Sequence, residues 1–261
     1  MGKVPGKIGK KAEKFFREHV SQRVIDTLSR GNFKNLRALA LEHLERLGIQ
    51  PVFLQENSPE FREMRNRLKT ESGIIISNHP GWGDTPAILS AVNREDLKIM
   101  MSKKYFGLLP SEIADKYFFP SENDPSKATT VFKEIQDHIS KGGVVLIYPS
   151  GGNEEKEGTG FKDGFRVLLR GLKPDQMVYC FNISSQDVSN LSSQYPGISV
   201  ASEAFLDSVL DIDNNKVAQP VRIDEAYTKA GEWQKSIEGV PKNETSKVLT
   251  GRYEGMFSGG N

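Results

Sequence analysis

Cysteine is almost missing from this chain of 261 residues, because Cys180 stands alone. That excludes an internal disulfide framework and a multi-cysteine metal centre, and it fits a reducing compartment, so a cytoplasmic location is expected. Long apolar runs are missing too. The longest, residues 74–76 and 144–148, fall far short of the roughly 20 residues that span a bilayer. The basic start lacks the apolar core of a signal peptide, and Gly6 stands where a myristoylation signal needs Ser or Thr. Neither export, lipidation nor a membrane span is expected. Charge of one sign is not in excess overall, with 35 Lys and Arg against 34 Asp and Glu. At 37% hydrophobic and 26% charged, the chain fits one large globular domain with some decoration.

Locally the charge is uneven. Lys3, Lys7, Lys10, Lys11, Lys14, Arg17 and Arg23 crowd the first 23 residues against Glu13 and Glu18. Ile8, Ala12, Phe16, Val20, Val24 and Leu28 recur every four residues, laying an apolar stripe along a basic helix. Such a stripe suits an anionic membrane surface, and it equally suits packing on the domain with solvated lysines around it. Nucleic-acid binding would rest on this arm alone, and none is expected. A second helix is legible over residues 35–47, with Leu36, Leu39, Ala40, Leu44 and Leu47 on one side and Gly48 at the cap position. Residues 1–50 therefore read as an N-terminal helical hairpin and a possible membrane-surface element.

Beyond Pro51 the texture changes to short apolar runs at residues 73–77, 97–101, 143–148 and 177–183, separated by helical stretches. That alternation predicts an α/β domain over residues 51–261, with a mostly parallel sheet flanked by helices. No internal repeat is visible, and residues 151–164 form a glycine-rich, charged loop.

The chemistry concentrates in residues 74–84, an apolar strand running into a turn of Gly and Pro. His79 falls just past the strand's C-terminal end, the edge at which open α/β sheets bind ligands. Asp84, five residues on, can fold back to accept the ring N–H, fixing the tautomer and strengthening the other nitrogen as a base. His19, His43 and His138 lie within helical patterns and read as surface or satisfied interfacial residues. Gly151 and Gly152 follow another strand. Their amides are candidates for stabilising an oxyanion, with a structural turn as the alternative. Ser150 on the same turn admits a serine hydrolase using His79 and Asp84, although Tyr148 occupies the first glycine's place in the elbow pattern. Glu154, Glu155 and Glu157 near Asp163 read as a solvated cluster, and no metal site is expected.

Asn78-His79, four residues and Asp84 resemble the first motif of the glycerolphosphate and lysophospholipid acyltransferase superfamily. Residues 144–151, ending in Tyr148-Pro149-Ser150-Gly151, are similar to its third motif. Phe161-Lys162-Asp163-Gly164-Phe165-Arg166 looks like its Phe-Lys-x-Gly stretch leading into a helix. The resemblance covers about residues 70–257. It implies an acyl thioester donor, on coenzyme A or acyl carrier protein, and a lipid-like hydroxyl acceptor such as a lysophospholipid. It also implies peripheral attachment through the N-terminal helical pair. His79 would take the acceptor's proton, Asp84 would stabilise the imidazolium, and no cofactor would be needed; Asn78, Ser150, Gly151, Gly152, Lys162 and Arg166 would face substrate. Two departures stand out: Ser150 replaces the family's glutamate, and residues 117–123 carry no arginine where a phosphate-binding one is usual. They leave open a catalytically silent lipid- or protein-binding module with the same fold.

Overall fold

Three consecutive isoleucines, Ile74, Ile75 and Ile76, offer no polar alternation, as expected of a strand covered on both faces. In a computed structural model of the chain they lie in the wholly buried strand β2 (Gly73–Ser77), at the middle of a seven-stranded sheet. The structure describes residues 35–47, 49–80, 84–106, 109, 111–121, 124–151, 160–187 and 219–258. Those residues run α1 (Leu36–Leu47), β1 (Ile49–Phe53), α2 (Pro59–Thr70), β2, α3 (Asp84–Ala91), β3 (Leu97–Ser102), α4 (Lys103–Phe106), α5 (Ser111–Tyr117), β4 (Phe118–Ser121), α6 (Pro125–Ser140), β5 (Val144–Ile147), α7 (Asp163–Arg170), β6 (Met177–Ile183), β7 (Gln219–Lys229), α8 (Ala230–Ser236) and α9 (Lys242–Gly255).

The strand order is β1-β7-β6-β2-β5-β3-β4. Every neighbouring pair is parallel except β6 with β7, so the sheet is mostly parallel with helices on both faces, as expected. Ile75, Leu146 and Tyr179 point into one core, and Ile74, Ile76, Val145 and Val178 into the other. Gly73 is required by close approach, because a Cβ there would collide with the Met177 carbonyl of β6.

Two elements differ from the expected outline. Strand β1 pairs with the start of β7, so the boundary expected after residue 50 falls inside a strand. Helix α1 buries Leu36, Ala40 and Leu44 in the same core as Ile88 of α3; from residue 36 onward the chain is part of the sheet's own packing. The first helix of the expected hairpin lies outside the described residues. Among those residues no helix is long and apolar enough to cross a membrane.

The N-terminal edge of the sheet is tied by Arg94, which donates to the Glu71 carbonyl (3.0 Å), the Gly142 carbonyl (2.5 Å) and the Asp96 carboxylate. These lie on the segments entering β2, β5 and β3. The opposite edge, where His79 emerges, is left to other tasks.

One buried group departs from the usual pairing rules. Glu225 of β7 has a side chain 1% exposed, and among the described residues neither carboxyl oxygen is hydrogen-bonded. Arg65 Nη1 comes no closer than 4.0 Å, being bonded instead to the Ala91 carbonyl. Burial pushes the Glu225 carboxyl up to about 8, with the charge of Arg65 opposing and those of Asp224 and Glu56 assisting. From the ordinary value of 4.5 up to that point, the unfolded chain has released this proton while the folded chain keeps it. Stability therefore falls as pH rises through that window, by up to about 1.4 kcal/mol per pH unit. Glu225→Gln should remove that part of the slope. Its melting temperature should match the native protein's near the acid end of the window and exceed it increasingly toward the alkaline end, as followed by circular dichroism.

Candidate active site

Strand β2 ends at Ser77, and the chain leaves the sheet through Asn78, His79 and Pro80 before α3 begins at Asp84. A carboxylate in the first turn of a helix is stabilised by the unpaired N–H groups there. Asp84 is buried at that place, and its Oδ2 lies 2.6 Å from His79 Nδ1; the side chains are 2% and 22% exposed. The carboxylate accepts the Nδ1 proton, which leaves Nε2 as the basic nitrogen of the partly exposed ring. Its other oxygen accepts from the Thr85 backbone N–H and from Thr85 Oγ1 at 3.1 Å.

Tyr148, just past the end of β5, stacks on the His79 ring with centroids 4.1 Å apart and planes 18° from parallel. Its hydroxyl lies 2.6 Å from Thr85 Oγ1. Burial, and after it the charge of Asp84, pushes the Tyr148 phenol well above its ordinary value, so it stays protonated as a hydrogen-bond donor.

Asn78 is bound to the protein itself. Its Nδ2 donates to the Ile183 carbonyl and its Oδ1 accepts from the Ile183 N–H, both at 2.8 Å, which fastens the end of β2 to the end of β6. Its backbone N–H donates to Tyr253 Oη at 3.0 Å, and Tyr253 in turn donates to the Phe181 carbonyl at 2.5 Å. A hydroxyl from α9 thus sits under the turn that carries His79.

The turn after β5 has Gly151 at φ +75, a backbone region that favours glycine. The Gly151 N–H closes this turn on the Tyr148 carbonyl at 2.9 Å, so of the two readings of that amide the structural turn is the one observed. A Cβ at Gly151 would also meet Lys162, whose Nζ would lie 2.7 Å away; the lysine therefore lies across the turn. Ser150 is buried on the same turn. Arg166 is buried on α7, and its Nε has no hydrogen-bond partner among the described residues. Gly152 and the Glu154, Glu155 and Glu157 cluster lie outside the described residues. His138 donates its Nε2–H to the Asp96 carbonyl at 2.8 Å, as a satisfied interfacial residue does.

Sequence reasoning paired His79 with Asp84 and passed over Thr85 and Tyr253. Thr85 carried the signal of a hydroxyl directly after the acid. Tyr253 carried none, being 175 residues from the Asn78 amide it touches.

Residues 55–180 match the model of the Acyltransferase family. No curated protein matches the sequence. Among solved structures the fold is similar to the crystal structure of the 1-acyl-sn-glycerophosphate (LPA) acyltransferase PlsC from Thermotoga maritima. The TM-score is 0.50 at 13% identity, covering 97% of this chain and 89% of that one.

The paired bonds of Asn78 predict a structural cost on its removal. Asn78→Ala leaves the Ile183 N–H and carbonyl without their partner, which should lower stability by about 1–3 kcal/mol. Chemical denaturation of the purified variant measures it.

Proposed function

Carrying an Acyltransferase-family domain over residues 55–180, this protein, we propose, moves a fatty acyl group from an acyl thioester to the hydroxyl of a lysophospholipid or similar glycerolipid. The observation that carries the reading is the 2.6 Å contact between His79 and a buried carboxylate at the C-terminal edge of the central strand, inside that domain. The name of PlsC, whose fold is similar, supports a glycerolipid acceptor.

In this reading His79 Nε2 removes the acceptor's hydroxyl proton as the oxygen attacks the thioester carbonyl. Asp84 stabilises the imidazolium, and the tetrahedral intermediate collapses to an ester while the leaving thiolate takes up the proton held by the imidazolium, which regenerates the base. The donor is acyl-coenzyme A or acyl carrier protein, and no cofactor enters. Lys162, lying across the turn, and the buried Arg166 supply positive charge for anionic parts of the substrates. Ser150 and Gly152 complete the substrate-facing set.

His79→Ala should lower turnover by at least about a hundredfold, the scale of general-base catalysis, with little change in melting temperature. Asp84→Asn should also cripple turnover, and the double variant should be little worse than His79→Ala, since residues acting as one unit are not additive. Thiol release from acyl-coenzyme A offered with a panel of lysophospholipids, with mass spectrometry of the product ester, measures this. Full transfer by His79→Ala would overturn the assignment, and silence of the native protein across the panel would favour a binding module.

The basic, striped arm supports a cytoplasmic protein attached peripherally to anionic membrane. Deleting residues 1–31 should sharply reduce co-sedimentation with phosphatidylserine-containing vesicles, and binding by the full chain should weaken as salt rises.

A further inference from the structure

A carboxylate has two oxygens, and in Asp84 only Oδ2 faces His79. Oδ1 accepts from the Thr85 N–H and from Thr85 Oγ1 at 3.1 Å, and that same hydroxyl lies 2.6 Å from Tyr148 Oη. Counting protons fixes the direction of the chain. An ionised carboxylate only accepts, so Thr85 gives its one hydroxyl proton to Asp84, and Tyr148 donates to Thr85. The phenol is held protonated by burial. Meanwhile its ring is stacked on the imidazole at 4.1 Å. Tyr148 therefore reaches the pair twice, on the face of the His79 ring and, through Thr85, at the far oxygen of Asp84.

We propose that Thr85 and Tyr148 are positioning residues, a chain of two hydroxyl donors and a stacked ring that orients the Asp84 carboxylate and the His79 imidazole toward each other. The proposal rests on the reading of His79 as the base. The torsion that turns a carboxylate about its last bond is broad and roughly two-fold. Burial alone does not choose which way Asp84 presents its oxygens; donors fixed on Oδ1 do. The imidazole, 22% exposed, has the same freedom about its own last torsion, and a parallel ring against one face removes it. The two restraints come from different elements, Thr85 from α3 and Tyr148 from the end of β5, so the sheet and the helix must be in register for both to hold.

The test uses the full chain labelled with ¹⁵N-histidine, its His79 signals assigned by their loss in His79→Ala. Thr85→Val and Tyr148→Phe remove one hydroxyl each, and Tyr148→Leu removes hydroxyl and ring together. Both single-hydroxyl losses should move the His79 Nδ1 proton upfield, shift the midpoint of the pH–rate profile and lower kcat on the order of tenfold with KM for acyl-coenzyme A held. Thr85→Ser should restore the native signal, and Tyr148→Leu should exceed Tyr148→Phe. Melting curves separate positioning from unfolding, and the two hydroxyl variants, on separate elements, serve as independent tests. If the folded Thr85→Val and Tyr148→Phe proteins keep the native Nδ1 signal and pH profile while His79→Ala is inactive, this proposal is overturned and the base assignment stands. If His79→Ala remains active the base assignment falls, and the Nδ1 signal, which needs no turnover, still decides the positioning.

Discussion

The hydrogen bond from His79 to Asp84 joins residues only five positions apart, between a strand and a helix, and much of the surrounding structure serves to hold the two ends still. On the strand side, Asn78 is fastened to Ile183 by both ends of its amide, and the Tyr253 hydroxyl receives its backbone N–H. On the helix side, Asp84 opens α3, and α1 packs across that helix with Leu36, Ala40 and Leu44. The wholly buried β2 lies between β5 and β6, so it cannot shift register without uncovering three isoleucines. Orientation of one imidazole is thus a property of the central strand's packing.

Two buried carboxylates show how differently this fold treats the same group. Asp84 is 1% exposed yet meets the His79 ring, the Thr85 amide and the Thr85 hydroxyl at the start of a helix. Glu225 is also buried, but among the described residues its oxygens find no donor, and its cation stands 4.0 Å off, facing the rings of Phe53 and Phe61. A buried charge without hydrogen bonds is costly, and the carboxyl responds by holding its proton. The first arrangement surrounds its oxygens with donors, and the second leaves a carboxyl that holds its proton.

The sequence carried its clearest message where side-chain pattern and local chemistry agree. Ile74 to Ile76 announced a doubly covered strand, and the Gly- and Pro-rich turn after it put His79 at the sheet's ligand-binding edge. The His79–Asp84 pairing was legible because it is local. Strand β1 was not, because Pro51 breaks its apolar run and its partner strand is far along the chain. Strand β7 was not legible either, because Asp224, Glu225 and Lys229 interrupt any apolar pattern while continuing the ladder to β6. The tasks of Asn78 and Gly151 turned on where single N–H and amide groups point, which residue type does not encode.

The position of β7 gives the chain a defined order of assembly. Its first residues pair with Ile49 to Phe53, and the register joins Ile49 to Gln219. At typical synthesis rates of ~5–20 residues per second, the 170 residues separating them take roughly 10–30 s to emerge. Strands β2, β5, β3 and β4 can meet in that interval, since all are complete by Ile147. Strand β1 cannot, and an early strand left waiting exposes its unpaired backbone edge to other nascent chains. Pairing of β1 thus has to wait for the chain to reach Gln219, whereas β2, β5, β3 and β4 need nothing beyond Ile147.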